Sequence, residues 1–88
     1  MRKLDISRDA HKFVSDLDAK QYRQVARKAF SLLDDPRPGD SGKLKGFKYW
    51  RVDIGEYRIV YYFDNETVYI VDIGKRNDDE VYKKLAQR

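Results

Sequence analysis

Cysteine is absent from this 88-residue chain, and histidine occurs once, at position 11. Without thiols there is no disulfide, no cysteine nucleophile and no thiolate metal ligand, and a lone imidazole builds neither a His-based triad nor an ordinary zinc site. Any catalysis must use other groups; His11 itself reads as a surface residue of the first helix, and no metal or cofactor is expected. No apolar run approaches the roughly 18 residues that a membrane span needs. The opening MRKLDISRD lacks the apolar core of a secretory signal, so the expected location is cytoplasmic, away from membranes. Proline is scarce: both prolines and two of the five glycines fall within DDPRPGDSG, residues 34–42. There is no repeat and no low-complexity segment.

What is present is 41% hydrophobic and 39% charged. A chain this short cannot divide its apolar residues between two cores, so residues 1–88 read as a single domain. The net charge of +4 favours acidic or polyanionic partners, although a modest basic excess is also common in proteins that touch no nucleic acid.

KLDIS alternates Leu4 and Ile6 with charged neighbours, the pattern of a short strand, and Ser7 is placed to cap a helix. Ala10, Phe13, Val14 and Leu17 then form one apolar stripe. Asp18 with Gln21 fits a capping box, and Tyr22, Val25, Ala26, Ala29 and Leu33 carry a second stripe to about Asp34. The segment 34–42 reads as the one real loop. Beyond it the period becomes two: Trp50, Val52 and Ile54 alternate with Arg51 and Asp53, a tight turn follows at Gly55 and Glu56, and YRIVYYF runs to Phe63. After the turn cluster DNET, TVYIVDI carries Val and Ile on both faces, as a central or well-covered strand does. Asn77 with Glu80 offers a last capping box, for a short helix whose apolar edge is Val81 and Leu85. The expected class is α+β: an N-terminal strand, a helical hairpin, an antiparallel β-meander and a short C-terminal helix, in the order β-α-α-β-β-β-α, with the helices on one sheet face.

Alternation turns Arg51 and Asp53 away from Trp50, Val52 and Ile54, which meet the helices. The face taken by Arg58 depends on hairpin register, and spacing alone leaves both faces open. Arg76 follows the last strand directly, with Tyr82 a turn or so into the last helix, so three guanidiniums and a phenol can converge. Guanidinium forks bind phosphate oxygens in pairs, and their fixed charge opposes the charge of a pentacoordinate transition state. Nearby guanidiniums also favour phenolate, and Tyr82 could then deprotonate a 2′-hydroxyl without metal, His or Cys. Each of these residues has a plainer role when taken alone. A strand arginine is more often solvated or half of a weak surface pair, and a helix tyrosine more often packs its ring on a sheet. Lys43, Lys45 and Lys48 form the densest basic stretch before a strand, and KLKGFKYWR interleaves aromatics as nucleic-acid binders often do; a solvated basic loop reads the same.

Two segments resemble a known family. WRVDIGEYRIVYYF resembles the hairpin of the RelE/ParE superfamily of bacterial toxins, of the form R-V-x-x-G-x-Y-R-x-x-Y. VDIGKRNDDEVYKKL resembles the end of its RelE-like branch, where G-K-R precedes a helix ending in V-Y. With the helical hairpin, the likeness spans nearly the whole chain. It implies a toxin of a type II toxin-antitoxin system, a ribosome-dependent endoribonuclease (mRNA interferase) that cuts message in the A site. Carried over by position, Arg58 and Arg76 would bind and neutralise the scissile phosphate, and Arg76 would also serve the leaving oxygen. Tyr82 would orient or deprotonate the attacking 2′-hydroxyl and stack on a base, while Arg51 stands at the first of two basic positions on its strand. Lys43, Lys45, Lys48, Lys75 and Lys83 are the implied RNA-binding residues. The chain departs from the pattern at Asp53, where a second basic residue is usual, so the general base stays open between Lys45 or Lys48 and Asp53 itself. A carboxylate beside phosphate costs electrostatic stabilisation, so a salt bridge from Asp53 to a neighbouring arginine is expected.

The implied reaction is in-line attack by the 2′-hydroxyl, leaving a 2′,3′-cyclic phosphate and a 5′-hydroxyl. The implied partners are the ribosome with its 16S rRNA and message, and a RelB-like antitoxin. That antitoxin would be partly acidic and largely disordered when free, and promoter DNA would be reached only through the antitoxin complex. Two rivals remain: a ParE-like toxin that poisons gyrase, and a catalytically weakened homologue that only binds RNA or protein.

Overall fold

Ser7 and Asp18 start the two helices by the caps that the sequence predicts. The Ser7 hydroxyl accepts the Ala10 N–H at 3.1 Å, and an Asp18 carboxylate oxygen accepts the Gln21 N–H at 2.9 Å. In the computed structural model, residues 1–46 and 48–76 are described. They form β1 (Lys3–Ile6), α1 (Arg8–Ser15), α2 (Ala19–Ser31), β2 (Gly42–Lys43), β3 (Trp50–Ile54), β4 (Tyr57–Phe63) and β5 (Thr67–Lys75). The helix expected after Asn77, with Tyr82 and Lys83, lies outside the described residues.

The fold is α+β, as expected. Helix α2 stops at Ser31, short of Asp34, because Leu32 and Leu33 turn their amides back to the carbonyls of Ala29 and Phe30 at 3.2 and 3.0 Å. Such three-residue bonds tighten a last turn ahead of a proline. The loop that follows is tethered to the sheet, since the buried Tyr61 hydroxyl donates to the Pro36 carbonyl at 2.7 Å. Burial pushes the Tyr61 phenol up to about 12.

The sheet has the order β1-β5-β4-β3-β2. Strands β2 to β5 are antiparallel neighbours, and β1 lies parallel to β5 at one edge. The expected meander is therefore extended at both edges. Strand β2 lies partly in the segment read as loop, and two residues are too few to show a period. The central position expected for the last strand holds, with β1 and β4 on either side of it.

One sheet face meets the helices. Ala10 and Val14 of α1, Val25 and Ala29 of α2, and Leu32 pack against Val52, Tyr57, Ile59, Tyr61, Val68, Ile70 and Ile73. Each such Ile or Val, fully buried, contributes about 1.5–3 kcal/mol relative to exposure. Ile70 and Ile73 both face this core although they are an odd number of residues apart. The register explains this: Tyr61 pairs with Ile70 and Val60 with Asp72, so Val71 is an inserted bulge residue. The bulge also brings Gly74 opposite Arg58.

Candidate functional site

A two-residue turn fixes the face that spacing leaves open. Ile54 pairs with Tyr57 across Gly55 and Glu56, and Gly55 takes φ +57°, a conformation that glycine adopts at little cost. Asp53 then lies directly across from Arg58 and Arg51 across from Val60, so Arg51, Asp53 and Arg58 share the sheet face opposite the helices. The expected salt bridge is present. Arg58 Nε donates to Asp53 Oδ1 at 2.7 Å and Nη2 to Oδ2 at 3.2 Å, a two-point fork. The pair is largely shielded, with side chains 18% (Arg58) and 28% (Asp53) exposed.

Arg76 joins this corner through its backbone, its N–H donating to the Glu56 carbonyl at 2.9 Å beside the hairpin turn. The Asp53 carboxyl is held below the usual carboxylate range, first by the hydrogen bond from Arg58, against the opposing effect of burial, and then by the charges of Arg58, Arg51 and Arg76. All three arginines thus act on one carboxylate. Positive charge from the arginines at this end of the sheet suits an anion that gains charge as it reacts. Both Asp53 oxygens accept from Arg58, so the geometry favours Asp53 as the partner of Arg58 over Asp53 as a base.

The lysines divide. Lys48 lies with its Nζ 4.5 Å from the Tyr62 ring centre and 5.6 Å from that of Tyr49. Tyr62 stacks on Tyr69, centroids 4.6 Å apart, on the arginine-bearing face. Lys45 is exposed in the turn after β2. Lys43 pairs with Trp50 and Lys75 with Tyr57, so alternation turns both toward the helix side, away from Arg51 and Arg58.

Three features of this face escape a reading by residue type. Gly42 pairs with Arg51, and a Cβ built there meets Arg51 Nη2 at 3.1 Å, so the guanidinium lies across the bare glycine. The Tyr49–Tyr62–Tyr69 ladder hides among tyrosines that strand propensity alone explains. Asp72 is 1% exposed, and its Oδ1 accepts the Ile73 N–H at 2.9 Å. An Asp inside the apolar run of β5 was its only signal.

Comparison with known proteins adds a family to this geometry. Residues 4–80 match the model of the ParE toxin of type II toxin-antitoxin systems, parDE. Among curated proteins, none matches significantly. Among solved structures, a mutant of the E. coli toxin RelE in the free state is 26% identical with a TM-score of 0.81, over 99% of this chain and 96% of that one. The toxin of the intact E. coli RelBE toxin-antitoxin complex is 26% identical with a TM-score of 0.73, over 85% and 96%. A YoeB/ParE toxin from Agrobacterium tumefaciens, 20% identical with a TM-score of 0.71 over 84% and 98%, shares the fold.

Proposed function

The chain belongs to the ParE toxin family of type II toxin-antitoxin systems, in the RelE-like branch of the RelE/ParE superfamily, and from that premise we propose that it cleaves messenger RNA on the ribosome. The observation that carries the reading is that Arg51 and Arg58 share the sheet face opposite the helices, Arg58 forked to Asp53, with the Arg76 main chain bonded to Glu56 beside the same hairpin. A phosphodiester entering that corner would draw on these guanidiniums for its non-bridging oxygens, Arg58 exchanging part of its bridge to Asp53 for phosphate, and their positive charge favours the transition state over the ground state. Tyr82 orients or deprotonates the 2′-hydroxyl, which attacks the adjacent phosphorus as the 5′-oxygen leaves. The products are a 2′,3′-cyclic phosphate and a 5′-hydroxyl. A small open face has little surface with which to bend RNA for in-line attack, so the ribosomal A site supplies that geometry. As a toxin of a type II system the chain has an antitoxin partner; the E. coli relative seen in a RelBE complex supports a RelB-like one. The setting is the cytoplasm, where ribosome and message meet.

The test is to map message ends after brief induction. Cuts within codons, confined to translated regions and ending in cyclic phosphate, are expected, and purified protein should cut message on intact programmed ribosomes in EDTA. The ParE description of the family keeps gyrase poisoning as a second reading. An early arrest of DNA synthesis with intact messages would establish it and overturn the nuclease.

Gly42 offers a check on Arg51. Gly42→Val suits strand propensity but places methyl groups where the guanidinium lies. Cleavage is expected to fall about tenfold, or 1.4 kcal/mol of barrier, with the melting temperature little changed. Full activity in this variant would remove Arg51 from the site.

A further inference from the structure

Arg51 and Arg58 share their sheet face with a row of aromatic rings that is open at one end. From Arg58, β4 runs about 13 Å to Tyr62, which pairs with Tyr69 of β5. The two rings lie 13° from parallel, with centroids 4.6 Å apart. On the β3 side of Tyr62 the space is taken by the Tyr49 ring, at 5.9 Å, and by Lys48, its Nζ 4.5 Å from the Tyr62 ring centre. On the β1 side of Tyr69 the residue across is Asp5, exposed and too short to cover a phenol ring. Among the described residues the only ring that Tyr69 meets is that of Tyr62. Strand β1 is the edge of the sheet, so a flat group can approach Tyr69 from that side.

Cross-strand pairing explains why two tyrosines meet. It does not explain their setting, half-buried on the face without helices and in line with two guanidiniums. Exposed lysines flank the row as well: Lys48 at the Tyr62 end, and Lys3, two residues before Asp5 and on the same face of β1, near the Tyr69 end. Cations interleaved with flat π faces match a single nucleic-acid strand, in which phosphates and bases alternate in the same way. A duplex keeps its base faces stacked inside, so the strand that fits is unpaired.

We propose that Tyr69 is a base-stacking subsite for single-stranded RNA: one nucleobase of the message lies on the ring face turned toward β1 and continues the Tyr62–Tyr69 stack. The identity of the strand rests on the ribonuclease reading. From this subsite the strand runs over Arg51 to the corner of Arg58 and Arg76. The distance along β4 equals about four stacked nucleotides at ~3.4 Å each. The stacked base therefore sits a few nucleotides from the scissile phosphate, and holding it fixes which phosphate reaches the arginines. Every base has a π face, so the subsite sets the register of the strand and leaves its sequence free.

The full chain is titrated with a fluorescent single-stranded RNA of about eight nucleotides, 2′-O-methylated throughout so that no hydroxyl is available for attack. The same strand is then used with one abasic nucleotide at successive positions. At one position the missing base is expected to weaken wild-type binding about tenfold. Tyr69→Leu should bind the intact strand about tenfold more weakly, with the salt slope unchanged because no charge is lost, and should be indifferent to the abasic position. Tyr69→Phe keeps the ring and should bind as wild type does; circular dichroism checks the fold of both variants. Wild type that binds intact and abasic strands equally, or that shows no saturable binding, overturns the proposal. So does an abasic penalty of the same size in Tyr69→Leu, which would make the tyrosine a structural residue only. Neither strand can be cut. Message left uncut on ribosomes beside a clear abasic penalty therefore overturns the chemistry alone, and cut message without the penalty overturns the subsite alone.

Discussion

Arg58→Ala is expected to lower message cleavage on programmed ribosomes by about 10³-fold, at the upper end of what one lost donor costs an anionic transition state. The size follows from the fork to Asp53. Removing Arg58 deletes the proposed phosphate ligand and also strips the carboxylate of its bonded countercharge, leaving a negative group where the phosphodiester is proposed to enter. Asp53→Ala alone is then expected to maintain or raise cleavage, because it removes the carboxylate that engages Arg58. Asp53→Ala in the Arg58→Ala background should recover about tenfold, a coupling of about 1.4 kcal/mol and within the range found for residues in contact. Strictly additive single and double variants would show that the pair is structural only. The bridge is partly exposed, so Asp53→Ala should cost only about 1 kcal/mol of stability, or about 4–8 °C in melting temperature for a domain of this size. Activity and stability therefore move separately.

Arg76→Ala should reduce cleavage by about 10²-fold or more and end growth inhibition on induction, with the fold intact. Arg76 is exposed, and its hydrogen bond to Glu56 is made through the main chain, which alanine retains. The loss should appear in the rate of the chemical step more than in ribosome binding, since a group that meets charge developing in the transition state changes kcat. Tyr82→Phe is the companion variant, removing the hydroxyl proposed to handle the 2′-proton while keeping an aromatic ring. Undiminished toxicity in both variants would place the site elsewhere. A loss in ribosome affinity alone would make Arg76 a docking residue.

Much of this was legible in the residues. Ser7 and Asp18 announce the helix starts because short polar side chains satisfy the first free amides, and the alternation from Trp50 to Ile54 sets the inner and outer faces of β3 because strand side chains must alternate. Asp53 as a departure, and its bridge to an arginine, could be anticipated from electrostatics. Less could be read where no local period exists. The two residues of β2 carry none, the parallel pairing of β1 with β5 joins segments far apart in sequence, and the Val71 bulge appears only once Ile70 and Ile73 must share one core. Lys43 and Lys75, grouped with the RNA-binding lysines by type, fall on the helix side by register.

The chain's own chemistry settles which reactions are open to it: without Cys and with one His, the available groups are guanidinium, ammonium, carboxylate and phenol. It settles the types of α1, α2, β1, β3, β4 and β5 too, because caps and periodicity are local. Which charges meet depends on register, and a shift of one residue turns every side chain of a strand to the other face. Gly55 and the pairing of Ile54 with Tyr57 place Arg58 opposite Asp53, and the main-chain bond from Arg76 to Glu56 brings the third arginine to the same corner. The hairpin is local, but Arg76 reaches this corner only in the folded sheet, because β5 must pair with β4 before its end can lie beside the turn.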